Sequence, residues 1–309
     1  MKKSLFAFLP LLALASCGQS SSLSSSLVSS ESSKEVHLPQ YTMPEDADIS
    51  GTANDLAYDV SNVHRVEGHP LAGKKIYWLG SSVTRGEAAG AQSMADFLAA
   101  KTGAICKKDA VSGTTIYDDG GASDATSKNS YTRRLVNSTV FDPNEKIDAF
   151  ICQISTNDST NSRLNMRGEI SADDVLDMEE FNRKTTLGGI EFILSYVSET
   201  WDCPIYFYSG SYFTDGNNKT QRQNSNPKGS EYGKLVSQTQ EILNKWNKQF
   251  YIHAGLIDLY NDKDFNDAAS DAYYSWSTSD PIHPKKAGYL QWWMPYFESF
   301  LLNDMTNWK

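Results

Sequence analysis

The sequence predicts an α/β fold, a three-layer α/β/α sandwich around a mostly parallel central sheet. Two observations predict it. From Leu71 onward, short apolar runs alternate with longer amphipathic stretches, as in successive β-α-β units. The runs are also apolar on consecutive residues, as parallel strands covered on both faces should be; Ile147-Asp148-Ala149-Phe150-Ile151-Cys152-Gln153-Ile154 is the plainest example.

Taken in order, the expected strands are Lys75–Leu79, Ile105–Val111, Ile147–Ile154, Pro204–Ser209 and Tyr251–Ile257. Between them Ala89–Lys101, Met178–Thr200 and Glu231–Gln249 carry apolar residues at helical spacing, and Lys286–Leu302 closes the chain with another such stretch. Tyr117–Ser130 and Thr214–Gly229 are rich in Asp, Gly, Ser, Asn, Gln and Lys and read as solvated loops. In such a sheet, ligands belong beyond the carboxyl ends of the strands.

The first residues are of a different kind. Lys2 and Lys3, an apolar stretch from Leu5 to Ala15 and small residues before Cys17 follow the pattern of a secretory signal, too short to span a membrane. Leu14-Ala15-Ser16-Cys17 resembles the lipobox of bacterial lipoproteins, which implies a lipidated Cys17 and export to the outer side of the cell membrane. Residues 17–36 are Ser-rich and cannot bury enough apolar area to order, so they read as a flexible tether. The expected organisation is therefore a signal peptide over 1–16, the tether over 17–36, an irregular acidic and polar segment over 37–70 that wraps the domain edge, and one catalytic domain over 71–309.

Of the 309 residues, 39% are hydrophobic and 12% aromatic, enough for a sizeable core. The formal charge is −10 and becomes about −12 once the two lysines of the signal are removed, which argues against nucleic acid as a partner. Cys106, Cys152 and Cys203 lie in or beside apolar runs and have no metal-ligand spacing, so they read as packing rather than a disulfide framework.

Four sites carry chemistry. The first strand runs into Gly80-Ser81-Ser82-Val83-Thr84, placing a hydroxyl at a strand-to-helix turn where backbone amides stabilise negative charge. Alone this is also the pattern of a plain helix cap. The second strand is followed by Ser112-Gly113, and a glycine there lets its amide approach a substrate closely. The third ends in Ser155-Thr156-Asn157-Asp158, where the Asn157 carboxamide is a further donor; a turn or a cap explains each of these two equally well when read singly. Near the C-terminus stands Asp280-Pro281-Ile282-His283-Pro284, in a loop stiffened by two prolines. This spacing lets Asp280 hold the His283 ring in one tautomer with its other nitrogen facing a nucleophile. His37, His64 and His69 lie in the leading region and His253 in an apolar run, which leaves His283 as the candidate base among five histidines.

In order, across about residues 74–300, these sites resemble the conserved blocks of the SGNH (GDSL-like) hydrolase superfamily: Gly80-Ser81-Ser82, Gly113, Ser155-Thr156-Asn157-Asp158 and Asp280-Pro281-Ile282-His283. The sequence departs from the family pattern at Ser81, where Asp is usual, and at Ser155, where Gly is usual. The resemblance implies acyl transfer to water, with Ser82 as nucleophile, His283 as base, Asp280 as its partner, and an oxyanion hole made by the Ser82 and Gly113 amides and the Asn157 side chain. No metal or cofactor is expected. The implied substrates are ester-bearing small molecules or glycans, with O-acetylated carbohydrate favoured by the polar loops and the expected surface location; lysophospholipids and thioesters are the alternatives within the family.

Two rivals are weaker. An α/β-hydrolase requires G-x-S-x-G, and Thr84 stands at the second glycine. A non-catalytic glycan-binding lipoprotein could use Tyr273, Tyr274 and Trp276 as a stacking rim, but binding alone does not require Ser, Gly, Asn, Asp and His together.

Overall fold

The computed structural model describes residues 53–121, 128–175, 177–211, 227–250, 252–268 and 282–308. Five parallel strands, β1 (Lys75–Gly80), β2 (Ile105–Ala110), β3 (Ala149–Gln153), β4 (Ile205–Tyr208) and β5 (Ala254–Ile257), form one sheet in the order β2-β1-β3-β4-β5. All five expected strands are present; β1 runs one residue further than expected, to Gly80, and the other four are trimmed by a residue or more.

Alternate residues of each strand enter the two faces. Ile76, Trp78, Ala149, Ile151, Tyr206, Tyr208 and Ile257 meet one apolar layer; Tyr77, Leu79, Phe150, Cys152, Ile205, Phe207 and Leu256 meet the other. Both sides of the pleat are thus dry across β1, β3 and β4, which is why those runs are apolar, whereas edge strand β2 is only partly buried and carries Lys107, Lys108 and Asp109. The first layer is closed by α2 (Met94–Thr102) and by the C-terminal helices, where Phe297 packs a tilted ring on Trp78 at 5.5 Å. The second is closed by α3 (Tyr131–Val136), α4 (Thr186–Trp201) and α5 (Pro227–Phe250). In α5 the buried residues Tyr232, Leu235, Val236, Thr239, Ile242, Leu243 and Trp246 fall on one helical face. The arrangement is the expected three-layer α/β/α sandwich.

Several boundaries differ from expectation for local reasons. A short helix, α1 (Ser82–Arg85), starts directly after β1 and ends at Gly86 with φ +83. The chain then turns over residues 86–92, so the helix expected from Ala89 begins at Met94. There Ser93 N donates to the Asp96 carboxylate at 2.7 Å and fixes the start. The stretch expected as one helix over 178–200 is a single turn at Met178–Glu180 followed by α4, whose first turn is capped by Thr185. The closing stretch is α7 (Lys286–Gly288), a π-helical turn (Tyr289–Trp293) and α8 (Met294–Asp304). Two helices of six residues, α3 and α6 (Lys263–Ala268), are too short to show a period in sequence.

The loop expected over 117–130 is not solvated at its ends, since Tyr117 and Ser130 are fully buried; residues 122–127 lie outside the described residues. Residues 227–229 of the second expected loop belong to α5, opened by Pro227 in the first turn, where a missing N–H costs nothing. His253 is not a core residue: it precedes β5, half-exposed, and pairs with Asp304 at 2.5 Å. Cys106 is only partly buried, whereas Cys152 and Cys203 are buried, and all three are free thiols. Cys17, the tether, and Tyr273, Tyr274 and Trp276 lie outside the described residues. No helix among the described residues is long and apolar enough to cross a membrane.

Candidate active site

The strand order places a reversal of chain direction across the sheet between β1 and β3, with β2 reached outward from one side and β4 from the other. At such a reversal the loops leaving the carboxyl ends of the two flanking strands part, which is where open α/β sheets place a ligand crevice. Ser82 leaves β1 at that point, Asn157 leaves β3, and Gly113 leaves the neighbouring β2.

Ser82 is the first residue of α1 and its side chain faces His283: Oγ lies 2.8 Å from Nε2. Ser82 is 6% exposed, so the hydroxyl is sheltered without being sealed. The two residues are 201 positions apart. Asp280 lies outside the described residues, so the other face of the imidazole is not described.

The turn that presents Ser82 is held from below. Gln153, the last residue of β3 and fully buried, uses Oε1 to accept from Ser81 N at 2.9 Å, Thr84 N at 3.2 Å and Thr84 Oγ1 at 2.8 Å. Thr84 Oγ1 in turn meets the Tyr208 hydroxyl at 2.6 Å. Its own proton goes to Gln153, so Tyr208 is the donor. Glycine is required at position 80 because a Cβ there would stand 1.7 Å from Thr84 Oγ1. Ser81 is fully buried with its hydroxyl beside the Tyr131 phenol, and neither makes a well-formed hydrogen bond among the described residues. Burial pushes the Tyr131 phenol well above its ordinary value.

The β2 and β3 turns are laced together. Gly113 adopts φ +77, a conformation that favours glycine. The next carbonyl, Thr114 O, accepts from Asn157 Nδ2 at 3.0 Å and from Ser155 Oγ at 3.1 Å, and Ser155 Oγ accepts from Asn157 N at 3.2 Å. Ser155 therefore ties the two turns together through its side chain. Since one hydrogen of the Asn157 carboxamide is used on Thr114, the other remains for a ligand. Arg134, on α3, ties the same region by donating to Gly80 O at 2.7 Å and Asp109 O at 2.9 Å and pairing with the Asp109 carboxylate.

Asp158 is buried and anchors the floor, accepting from Ile116 N at 3.0 Å and Thr186 Oγ1 at 2.8 Å. Burial raises its carboxyl, while the nearby Ser155 hydroxyl and the bonds from Ile116 and Thr186 oppose the rise. At the rim, the Glu87 carboxylate binds Ser112 Oγ and Arg85, and is held below its ordinary range chiefly by Ser112.

The structure thus brings Ser82 and His283 together and binds Gly113 to Asn157 through Thr114. Gln153, Thr84, Arg134 and Asp158 were not anticipated. Gln153 did carry a signal, as a lone amide at the end of an otherwise apolar run. Among the described residues no group of three or more His, Cys, Asp or Glu is arranged to hold a metal ion.

No family model matches this chain, and no curated protein matches it. Solved structures do. A family two carbohydrate esterase from Clostridium thermocellum in complex with cellohexaose is similar with a TM-score of 0.50 and 16% identity, over 79% of this chain and 66% of that one. A second solved chain is similar with a TM-score of 0.51 and 16% identity, over 75% of this chain and 98% of that one. A protein from Lactobacillus plantarum aligns with a TM-score of 0.49 and 19% identity over 75% and 98%. At 16% identity, the likeness to the first two shows the fold alone.

Proposed function

We propose that this protein is a serine ester hydrolase of the SGNH type that removes acyl groups, acetyl groups on carbohydrate in particular, through an acyl-enzyme. The observation that carries the reading is the 2.8 Å approach of Ser82 Oγ to His283 Nε2, at the crevice where the sheet order reverses. A nucleophile within hydrogen-bond reach of a base is the minimum that acyl transfer requires.

In this reading His283 Nε2 takes the Ser82 proton as Oγ attacks the ester carbonyl, and Asp280 holds the ring and stabilises the imidazolium. The carbonyl oxygen becomes an oxyanion bound by the Ser82 and Gly113 amides and the remaining N–H of Asn157. The tetrahedral intermediate collapses, the C–O bond to the alcohol breaks, and His283 returns its proton to the leaving alkoxide. Water then adds to the acyl-Ser82 ester with His283 again as base, releasing the acid and restoring the serine. The preference for acetylated carbohydrate is supported by the polar loops and by the fold shared with a carbohydrate esterase. We further propose that Cys17 is lipidated and holds the enzyme on the outer face of the cell membrane, with residues 17–36 as a tether.

The chain without residues 1–35 should release nitrophenol from p-nitrophenyl acetate, and Ser82→Ala should abolish release without changing the circular dichroism spectrum. Full activity in that variant refutes the assignment. A panel of acetylated sugars against longer acyl esters decides the substrate class, and Cys17→Ser should move the full chain out of the membrane fraction.

A further inference from the structure

The segment from Ala53 to Asn62 crosses from the turn behind the nucleophile to the helix behind the base. On the nucleophile side, Asn54 Nδ2 donates to Ala88 O at 2.9 Å, Gln92 Nε2 donates to Asp59 Oδ2 at 2.7 Å, and Val60 N donates to Gln92 Oε1 at 3.0 Å. On the base side, Lys286 N donates to Asn54 Oδ1 at 3.0 Å, Ala287 N donates to Ala53 O at 2.9 Å, and Lys286 Nζ pairs with Asp59 Oδ2 at 2.7 Å. Asn54 therefore holds both sides with the two ends of one amide, and Asp59 holds both with one carboxylate oxygen. Ala53 and Tyr58 are buried in the same apolar layer as Ala89, Ala287 and Trp292, so the segment is packed down as well as bonded.

Lys286 lies three residues after His283, and residues 86–92 follow α1 directly, with Glu87 N bonded to Ser82 O at 3.0 Å. Among the described residues the two sides are also tied directly: Tyr289, in the π-helical turn, donates its hydroxyl to Val83 O at 2.7 Å. A single tie permits rotation about itself, whereas ties on a second side remove that freedom. We propose that residues 53–62 are a strap that fixes the approach of His283 to Ser82, with Asn54 and Asp59 as positioning residues that touch no substrate. The strap rests on the serine-hydrolase reading for its consequence in catalysis, but not for its geometry. Lys286, followed by Gln92 and Ser61, holds the Asp59 carboxyl well below the usual carboxylate range, so the pairing is charged at neutral pH.

The test uses the chain without residues 1–35 and the variants Asn54→Ala, Asp59→Ala, Asp59→Asn and the Asn54/Asp59 double alanine. Because misplacing catalytic groups by ~1 Å can cost about 100-fold, the double variant should lose on the order of tenfold or more in kcat on p-nitrophenyl acetate. KM should move far less than kcat, as expected of residues that act through the turn and the helix they bond, and Asp59→Asn should fall between wild type and Asp59→Ala. Asn54 is exposed, so its single variant keeps the fold and still weakens both sides. A second readout needs no turnover: the imidazole ¹⁵N shifts of His283, resolvable among five histidines, should move in the strap variants toward the values in Ser82→Ala. If wild type hydrolyses no ester, the catalytic reading fails while the imidazole shifts still decide the strap. Strap variants with wild-type kcat and wild-type His283 shifts overturn the proposal.

Discussion

Gln153 reaches from the end of β3 beneath the neighbouring strand and accepts a hydrogen bond from Ser81 N at 2.9 Å, one residue before the candidate nucleophile. The same oxygen takes Thr84 N and Thr84 Oγ1, so a single buried carboxamide fixes both ends of the α1 turn. Replacing it by leucine leaves three donors without an acceptor, each costing about 1–3 kcal/mol when buried. Gln153→Leu should lower the melting temperature and reduce kcat by about tenfold or more, because the Ser82 hydroxyl loses its fixed direction. Gln153→Glu keeps an acceptor and should do less harm; equal damage from the two would mean that the oxygen is not what holds the turn.

The lacing of the β2 and β3 turns makes a second prediction. Gly113→Ala adds a Cβ at φ +77, a cost of about 1–2 kcal/mol or a shift of the turn. Asn157→Ala removes a donor, and loss of one oxyanion donor typically costs about 10²–10³ in turnover. Both residues act on Thr114, one as its chain neighbour and one through the 3.0 Å bond to its carbonyl. The double variant should therefore lose less than the sum of the two losses in free energy. Strict additivity in a double-mutant cycle would show that the two turns are energetically separate.

Acid should loosen the edge of the sheet. Glu145 takes bonds from Lys107, Tyr77 and Lys75, which lower its carboxyl from 4.5 to about 2 and bridge edge strand β2 to β1. A folded-state value below the unfolded one means that the unfolded chain takes up the proton first. The contribution is therefore complete above pH 4.5 and is lost as pH falls toward 2. Asp158 has the opposite sign: its raised carboxyl accepts a proton more readily in the folded state, and this offsets part of the loss. Melting temperatures measured from pH 7 to pH 3 should drop less steeply in Glu145→Gln than in wild type, starting from a lower value; parallel curves would remove Glu145 from the acid response.

How much of this was legible in the sequence follows from the range of the interactions. The strands could be read because β1, β3, β4 and most of β5 are covered on both faces, which leaves a local apolar signature. The start of α2 could not, because residues 86–92 fold back through Gly86 and Ala91, both at positive φ, a choice made by packing rather than propensity. Ser82 and His283, which the structure brings within 2.8 Å, were both named from the sequence, one from a strand-to-helix turn and the other from its spacing to Asp280 ahead of the last helix. Arg134, Gln153, Asn54 and Asp59 were not: their roles depend on partners 54, 69, 232 and 227 positions away, and no local pattern marks them.

Lys245 and Glu191 form an ion pair at 2.8 Å between α5 and α4, with side chains 7% and 1% exposed. Ser171 completes the cluster: its hydroxyl and amide donate to the Glu191 carboxylate, while its carbonyl and hydroxyl oxygens accept from Lys245 Nζ. Every charge is thereby met by an opposite charge and by hydrogen bonds, which is the condition under which a buried pair offsets its desolvation. Removing one partner strands the other, so Glu191→Ala and Lys245→Ala should each lower stability by about 3–5 kcal/mol. At roughly 2–4 °C per kcal/mol for a domain of this size, the melting temperature should fall by about 10 °C. Glu191→Leu with Lys245→Met removes both charges together and should recover most of that loss, because similar volume is kept and no ion is left unpaired. Activity per folded molecule should be unchanged in all of them, since neither residue reaches the crevice side of the sheet through any described bond. A double variant no more stable than the single ones would show that the pair is required for packing α4 against α5 rather than for balancing its own charge.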